Sequence, residues 1–137
     1  QDVPGESVDH ESIYGNITSW KNSWMETCDF GEENSFDVVI AIPPLLGDGN
    51  KTLSNWELES LEKLSHTSIV PSYHLVKDAL SGLDEKCTNT LDLTNVFDDV
   101  ENTIYLDLSH VSDSGNMLIA DELFKSSLPI VYKKMGQ

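Results

Sequence analysis

The sequence contains no arginine and few lysines: eight basic residues stand against 24 aspartates and glutamates, a formal net charge of −16 over 137 residues. Phosphate recognition needs clustered basic side chains, so this balance argues against a nucleic-acid partner. It argues equally against docking on an anionic membrane surface. No apolar run approaches the roughly 18 residues that a membrane-spanning helix requires. No glycine-rich phosphate loop and no nicotinamide or flavin fingerprint is present. Gln1 opens the chain without a basic-then-apolar signal segment behind it, so the sequence reads as a mature product or a piece of a longer chain. Cysteine is scarce: Cys28 and Cys87 are the whole inventory, and their spacing suits neither a zinc site nor a redox Cys-x-x-Cys.

The length implies one domain. A hydrophobic content of 39% with 23% charged residues lies outside the disordered class. If bridged, as expected, Cys28 and Cys87 close a loop of about 60 residues, worth roughly 4 kcal/mol in the chain-entropy picture. Two glycosylation sequons occur, Asn16-Ile17-Thr18 and Asn50-Lys51-Thr52. Acidic surface, paired cysteines and sequons together lean towards an extracytoplasmic protein.

Residues 1–11 are polar and acidic and read as a tail or linker. Ile13, Ile17, Trp20, Trp24 and Cys28 recur at helical spacing, predicting an amphipathic helix over 12–28 with Ser12 as cap. Its two tryptophans read as core rather than groove lining. The apolar, mostly β-branched run 38–42 predicts a strand over 36–42 covered on both faces, ended by Pro43-Pro44. Ser54 with Glu57 three residues on is a capping box opening a second helix, whose inward face is Leu58, Leu61 and Leu64. Pro71 breaks or restarts that helix, and Leu75, Val76, Ala79, Leu80 and Leu83 continue inward. Residues 91–100 read as a loop with apolar anchors, 103–106 as a short second strand, and 115–128 as a last helix with Leu118, Ile119, Leu123 and Phe124 inward. A frayed tail is expected over 131–137. Strands alternating with helices imply an α/β domain with a parallel sheet. Two adjacent parallel strands make a poor sheet, however, so the sequence looks like part of such a domain.

The segment carrying chemistry is Tyr105-Leu106-Asp107-Leu108-Ser109-His110, followed by Gly115-Asn116 and the last helix. It lies at the end of an expected strand, where open α/β sheets place ligand sites. Asp107, three residues before His110, can accept from the ring Nδ1–H within one turn. That fixes the tautomer, aims Nε2 outward and steadies the imidazolium, which is two-thirds of a Ser-His-Asp machine. His66, His74 and His10 read as solvated or incidental. Asp98, Asp99 and Glu101 form an acidic cluster without an EF-hand pattern, and read as a solvated turn rather than a cation site.

These residues resemble the SGNH, or GDSL-type, hydrolases. That family carries an Asp-x-x-His motif before its final helix, then a Gly and a helix reading roughly Ile-Ala-x-x-Leu. Here the matching residues are Asp107, His110, Gly115-Asn116 and Leu118-Ile119-Ala120-Asp121-Glu122-Leu123. The strand ending in Pro43-Pro44 looks like the family's penultimate core strand, and Leu93-Thr94-Asn95-Val96-Phe97-Asp98 like the segment leading into its last one. The resemblance covers about residues 13–130. It implies a three-layer α/β/α fold of flavodoxin-like type, with 12–130 as the C-terminal part of the domain. It also implies serine ester or deacetylase chemistry, with His110 as general base then acid and Asp107 orienting it, and no metal or organic cofactor. The substrate class implied is an acyl-ester small molecule or an acylated carbohydrate.

The departures are as informative. The family's nucleophile sits in a Gly-Asp-Ser near the start of the domain. Here Gly47-Asp48-Gly49 has Gly where Ser is needed, and Gly5-Glu6-Ser7 has Glu for Asp and no strand before it. The Gly and Asn oxyanion blocks are not recognisable either. The expectation is therefore a domain incomplete on its N-terminal side, whose partner is that missing part. The alternative is a non-catalytic, extracytoplasmic interaction or structural domain that keeps the scaffold.

Overall fold

The computed structural model describes residues 10–64 and 69–136. Its elements, in chain order, are α1 (His10–Glu33), β1 (Val39–Ile42), α2 (Asn55–Lys63), α3 (Ile69–Ser81), β2 (Asn89–Asp92) and α4 (Asp113–Met135). The class is mixed α/β, with a two-stranded parallel sheet. Residues 1–9 of the expected tail, and His66, lie outside the described residues.

α1 starts at His10 and runs past Cys28 to Glu33, longer at both ends than the apolar stripe implies. Its solvent side is rich in hydroxyls that bond back to the helix, Ser23 Oγ to Ser19 O at 2.9 Å and Thr27 Oγ1 to Ser23 O at 2.8 Å. Asn16 stands exposed on it. Ser35, at φ 62°, takes the left-handed turn that redirects the chain, and Phe36 N–H returns to Gly31 O. Gly31 is needed there, because a Cβ would meet Val38 Cγ2 at 2.7 Å.

β1 pairs in parallel with β2, Val39 opposite Asn89 and Ile42 opposite Asp92. This corrects two expectations. The partner strand lies at 89–92, not at 103–106, and the loop expected over 91–100 begins only after Asp92. Asn89-Thr90-Leu91-Asp92 is too polar to announce a strand. It pairs because β1 offers carbonyls on that edge: Asn89 N–H bonds Val38 O and Leu93 N–H bonds Ile42 O. Residues 103–106 fail as a strand because their amides are taken elsewhere. Ile104 and Tyr105 N–H go to the Glu57 carboxylate, and only an isolated antiparallel bridge, Tyr105 with Val111, forms there.

Two apolar clusters hold the elements. Ile40 and Ile42 of β1 meet Cys28 of α1, Leu80 of α3, Leu83 and Cys87, with Trp20, Trp24 and Val76 packed against them. The tryptophans are half-buried against this core, edge to face at 6.5 Å. Leu46, Phe97, Ile104 and Tyr105 form the second cluster, flanked by Leu53, Leu61, Val111 and Ile119.

α4 opens at Asp113, capped by Ser112, two residues before the expected start. It continues through Pro129 to Met135, so 131–135 is helical rather than a frayed tail. Asn89 Nδ2 of β2 donates to Ser126 Oγ of α4 at 2.6 Å, which seats the helix beside that strand. Met117, Phe124, Val131 and Met135, at helical spacing on another side, are exposed. Leu58, Leu118 and Phe124, expected inward, are exposed as well. β1 has a second edge. Because Val38 O and Ile42 O face β2, Val39 and Ala41 turn their peptide groups the other way. No strand among the described residues pairs with them.

Cys28 and Cys87 are bonded, with Cα atoms 5.0 Å apart, and both are buried. The bridge ties α1 to the residue before Thr88, which also receives Val38 N–H on its hydroxyl at 3.0 Å. Replacing both cysteines by serine should therefore lower the urea-unfolding free energy by about 4 kcal/mol, the closure entropy of a 59-residue separation. A loss below about 1 kcal/mol at an unchanged m-value contradicts that role.

Candidate functional site

Asp107 and His110 lie in one tight turn whose legs are Ile104-Tyr105-Leu106 and His110-Val111-Ser112. Leu106 N–H bonds His110 O at 2.8 Å and Ser112 N–H bonds Ile104 O at 2.8 Å, closing the turn at its base. Ser112 then caps α4, accepting from Gly115 N, so the turn feeds directly into the helix. Gly115 is required by contact: a Cβ there would come within 2.8 Å of Ile104 Cγ2 and 2.9 Å of Val111 Cβ.

Within the turn the Asp107 carboxylate is clamped by its own segment. Its Oδ1 accepts from Ser109 N at 3.0 Å and His110 N at 2.8 Å, an Asx-turn arrangement. The His110 ring meets the same carboxylate, Nδ1 to Oδ2 at 2.8 Å and to Oδ1 at 3.0 Å. Backbone hydrogen bonds from His110 and Ser109, then the His110 side chain, hold the Asp107 carboxyl at about 2, below its ordinary 3.8. An ionised carboxylate only accepts, so Nδ1 must carry the hydrogen and the neutral ring presents a bare Nε2. His110 is 78% exposed and Asp107 57%. Nε2 has no hydrogen-bond partner among the described residues.

The expected Asp107–His110 contact is thus formed, but its position needs correction. The turn does not cap a strand at 103–106. Leu46 N–H bonds Leu108 O at 2.9 Å, which sets the turn beside the segment leaving the carboxyl end of β1. That is still the rim where open α/β sheets build sites.

Ser109 lies in the turn itself, its amide on Asp107, while Ser112 and Ser114 belong to the helix cap. Ser112 Oγ contacts Ser114 Oγ at 2.9 Å and accepts from Gly115 N at 3.4 Å. His74 is exposed on α3, its Nδ1 at 2.8 Å from Pro71 O. His10 begins α1. Asp98 is structural: it accepts Asn50 N on Oδ1, and Asn50 Nδ2 and Asn95 Nδ2 on Oδ2. The acidic residues 98–101 and the Gly47-Asp48-Gly49-Asn50 loop are therefore joined, and the second sequon asparagine has its amide hydrogen-bonded.

Sequence reasoning missed the second role of Glu57. As the capping-box partner its Oε2 accepts Ser54 N at 2.8 Å. The same oxygen binds Lys51 Nζ at 3.0 Å, while Oε1 accepts Ile104 N at 2.8 Å and Tyr105 N at 3.0 Å. The side chains of Glu57 and Lys51 are 0% and 3% exposed. The available signal was the Lys51 ammonium close before a capping glutamate, in a chain so poor in basic residues. Burial alone would push the Glu57 carboxyl up. The Tyr105, Ile104 and Ser54 amides and the Lys51 ammonium reverse this and hold it at about 2, against an ordinary 4.5.

Comparison with protein families, with curated proteins and with solved structures finds no match to this chain. The site stands on its geometry.

A carboxyl lowered on folding stabilises the native state above its unfolded value, and that stability is lost as pH falls through the folded value. For Glu57 the window runs from 4.5 down to about 2. The contribution is on the order of 3 kcal/mol at neutral pH. Glu57→Gln should thus be less stable than the wild type at pH 7, with a gap that narrows as the pH approaches about 2, measured by urea unfolding of both proteins. A gap that stays constant across that window contradicts the assignment.

Proposed function

We propose that this chain carries the acid–base half of an SGNH-type serine hydrolase domain of three-layer α/β/α, flavodoxin-like architecture. The nucleophilic serine and the oxyanion donors come from outside these 137 residues. One observation carries the reading: the clamped Asp107–His110 pair beside the carboxyl end of β1, with Nδ1 on the carboxylate and Nε2 open. The free edge of β1 and the exposed apolar side chains of α4 support an incomplete domain, since an uncovered parallel pair is a poor sheet.

In the proposed reaction a serine hydroxyl lies within about 3 Å of His110 Nε2. As its oxygen bonds to the acyl carbon, the hydroxyl proton passes to Nε2 and the ester carbonyl becomes an oxyanion. Asp107 stays ionised and steadies the imidazolium. Collapse of the tetrahedral species breaks the bond to the alcohol, which takes the proton from Nε2. A water molecule then repeats the sequence on the acyl-enzyme, releasing the acid and restoring serine and neutral His110. No metal or organic cofactor enters these steps. The substrate class is an acyl ester, on a small molecule or a carbohydrate. A buried disulfide suits an extracytoplasmic setting.

The test is hydrolysis of p-nitrophenyl acetate. The 137 residues alone should act no faster than a free imidazole of matching pKa, because loss of a triad nucleophile costs on the order of 10⁶ in kcat. Joined to the N-terminal residues of the parent protein, the chain should turn over, and Asp107→Asn should then lower kcat by about 10⁴. Turnover by the chain alone, with a serine such as Ser109, Ser112 or Ser114 labelled by a fluorophosphonate, would overturn the reading. A joined protein that binds acyl esters without hydrolysing them would favour a non-catalytic scaffold.

A further inference from the structure

We propose that Glu57 is a positioning residue for the Asp107–His110 pair, its buried carboxylate fixing the backbone from which that turn springs. This rests on the reading of His110 as the acid–base group. In a strand, the consecutive amides of Ile104 and Tyr105 would point to opposite edges. Here both end on one oxygen of Glu57, 47 and 48 residues away in sequence. Tyr105 is two residues before Asp107, and Ile104 O holds the returning leg of the turn through Ser112 N–H. Both legs are therefore referenced to the two peptide groups that Glu57 grips.

The rest of the contact set makes this grip directional. The Tyr105 side chain is buried, its ring edge-on to Phe97 at 5.5 Å, so the peptide cannot rotate freely about the anchor. On the far side of the turn Leu46 N–H holds Leu108 O. Asp107 and His110 are bound to each other and to their own turn, yet among the described residues their side chains touch no other element through a hydrogen bond. Their placement relative to the sheet passes through the backbone anchors, and Glu57 supplies the side-chain one. Its other oxygen is held by Ser54 N–H and the Lys51 ammonium, which ties the anchor to the start of α2.

Four donors converge on two carboxylate oxygens, so no neutral side chain replaces Glu57. A glutamine would turn its NH₂ towards donors on one arm or the other. Removing Glu57 alone strands the Lys51 charge, whereas removing both partners together avoids that penalty.

The test uses Lys51→Met/Glu57→Met, with Ser54→Ala as a control that removes the bonds of Glu57 N and the Thr103 hydroxyl to Ser54 Oγ and keeps the Ile104 and Tyr105 amides on Glu57. The readout is the titration of the Asp107 carboxyl by carbon-detected NMR, which reports whether the Ser109 and His110 amides still bind it. The wild type and Ser54→Ala should titrate Asp107 at about 2, and the folded double variant should move it up towards the ordinary 3.8. An Asp107 titration unmoved in the folded double variant overturns the proposal. Should that variant not fold, native-state hydrogen exchange on the unaltered chain decides. The amides of Ile104, Tyr105, Ser109 and His110 should share one opening equilibrium within about a factor of three. Independent opening of the Ser109 and His110 amides overturns the proposal. A joined, complete protein that stays inert while these spectra behave as described would refute the hydrolase reading and leave the positioning role standing.

Discussion

The carboxylate of Glu57 is the point at which two distant stretches of chain meet, 51–57 and 104–105. A buried charge is costly unless every lone pair is satisfied. Here the satisfying groups are the α2 cap, the Lys51 ammonium and the amides of Ile104 and Tyr105. None of them can leave without stranding the others. The network lies against the second apolar cluster, in which Leu46, Phe97, Ile104 and Tyr105 pack together. With two short strands among the described residues, this polar knot takes over work that a wider sheet would do: it gives the backbone at 104–105 an acceptor and fixes where the following turn begins.

The turn adds its own contacts to that anchor. Asp107 binds two amides of its own segment and the ring of His110, on a leg whose peptide groups Glu57 holds. Local geometry sets the tautomer, and tertiary geometry sets the address. The address comes from Glu57 on one side, Leu46 on another, and the close approach that Gly115 permits to α4. The unpaired edge of β1 and the exposed apolar side chains of α4 lie in the same small fold, and the proposed function accounts for both by further chain.

Much of this was legible because the signals are local. The stripe Ile13, Ile17, Trp20, Trp24, Cys28, the run ended by Pro43-Pro44, the Ser54/Glu57 capping box and the Asp-x-x-His spacing each specify their structure within a few residues. The disulfide was legible by inventory, two cysteines and no other thiol. What was not legible depends on partners far away in sequence. Asn89-Thr90-Leu91-Asp92 becomes a strand only because β1 offers carbonyls to it, and its own composition argues against one. Residues 103–106 have the composition of a strand, yet lose their ladder to a carboxylate on another helix. Leu118 and Phe124 have the right spacing for burial, but the described residues cover only one side of α4. The helix runs on to Met135 through Pro129, a residue whose presence argues for an earlier end.

The central claim is that Asp107 leaves His110 Nε2 bare and ready to take a proton. Nitrogen-15 NMR of the imidazole, at a pH where the ring is neutral, tests it most directly. The account predicts that Nδ1 carries the hydrogen, coupled to the Asp107 carboxylate, and that Nε2 gives the shift of an unprotonated nitrogen. A ring with its hydrogen on Nε2 would contradict it, because such a histidine has no base to offer a hydroxyl.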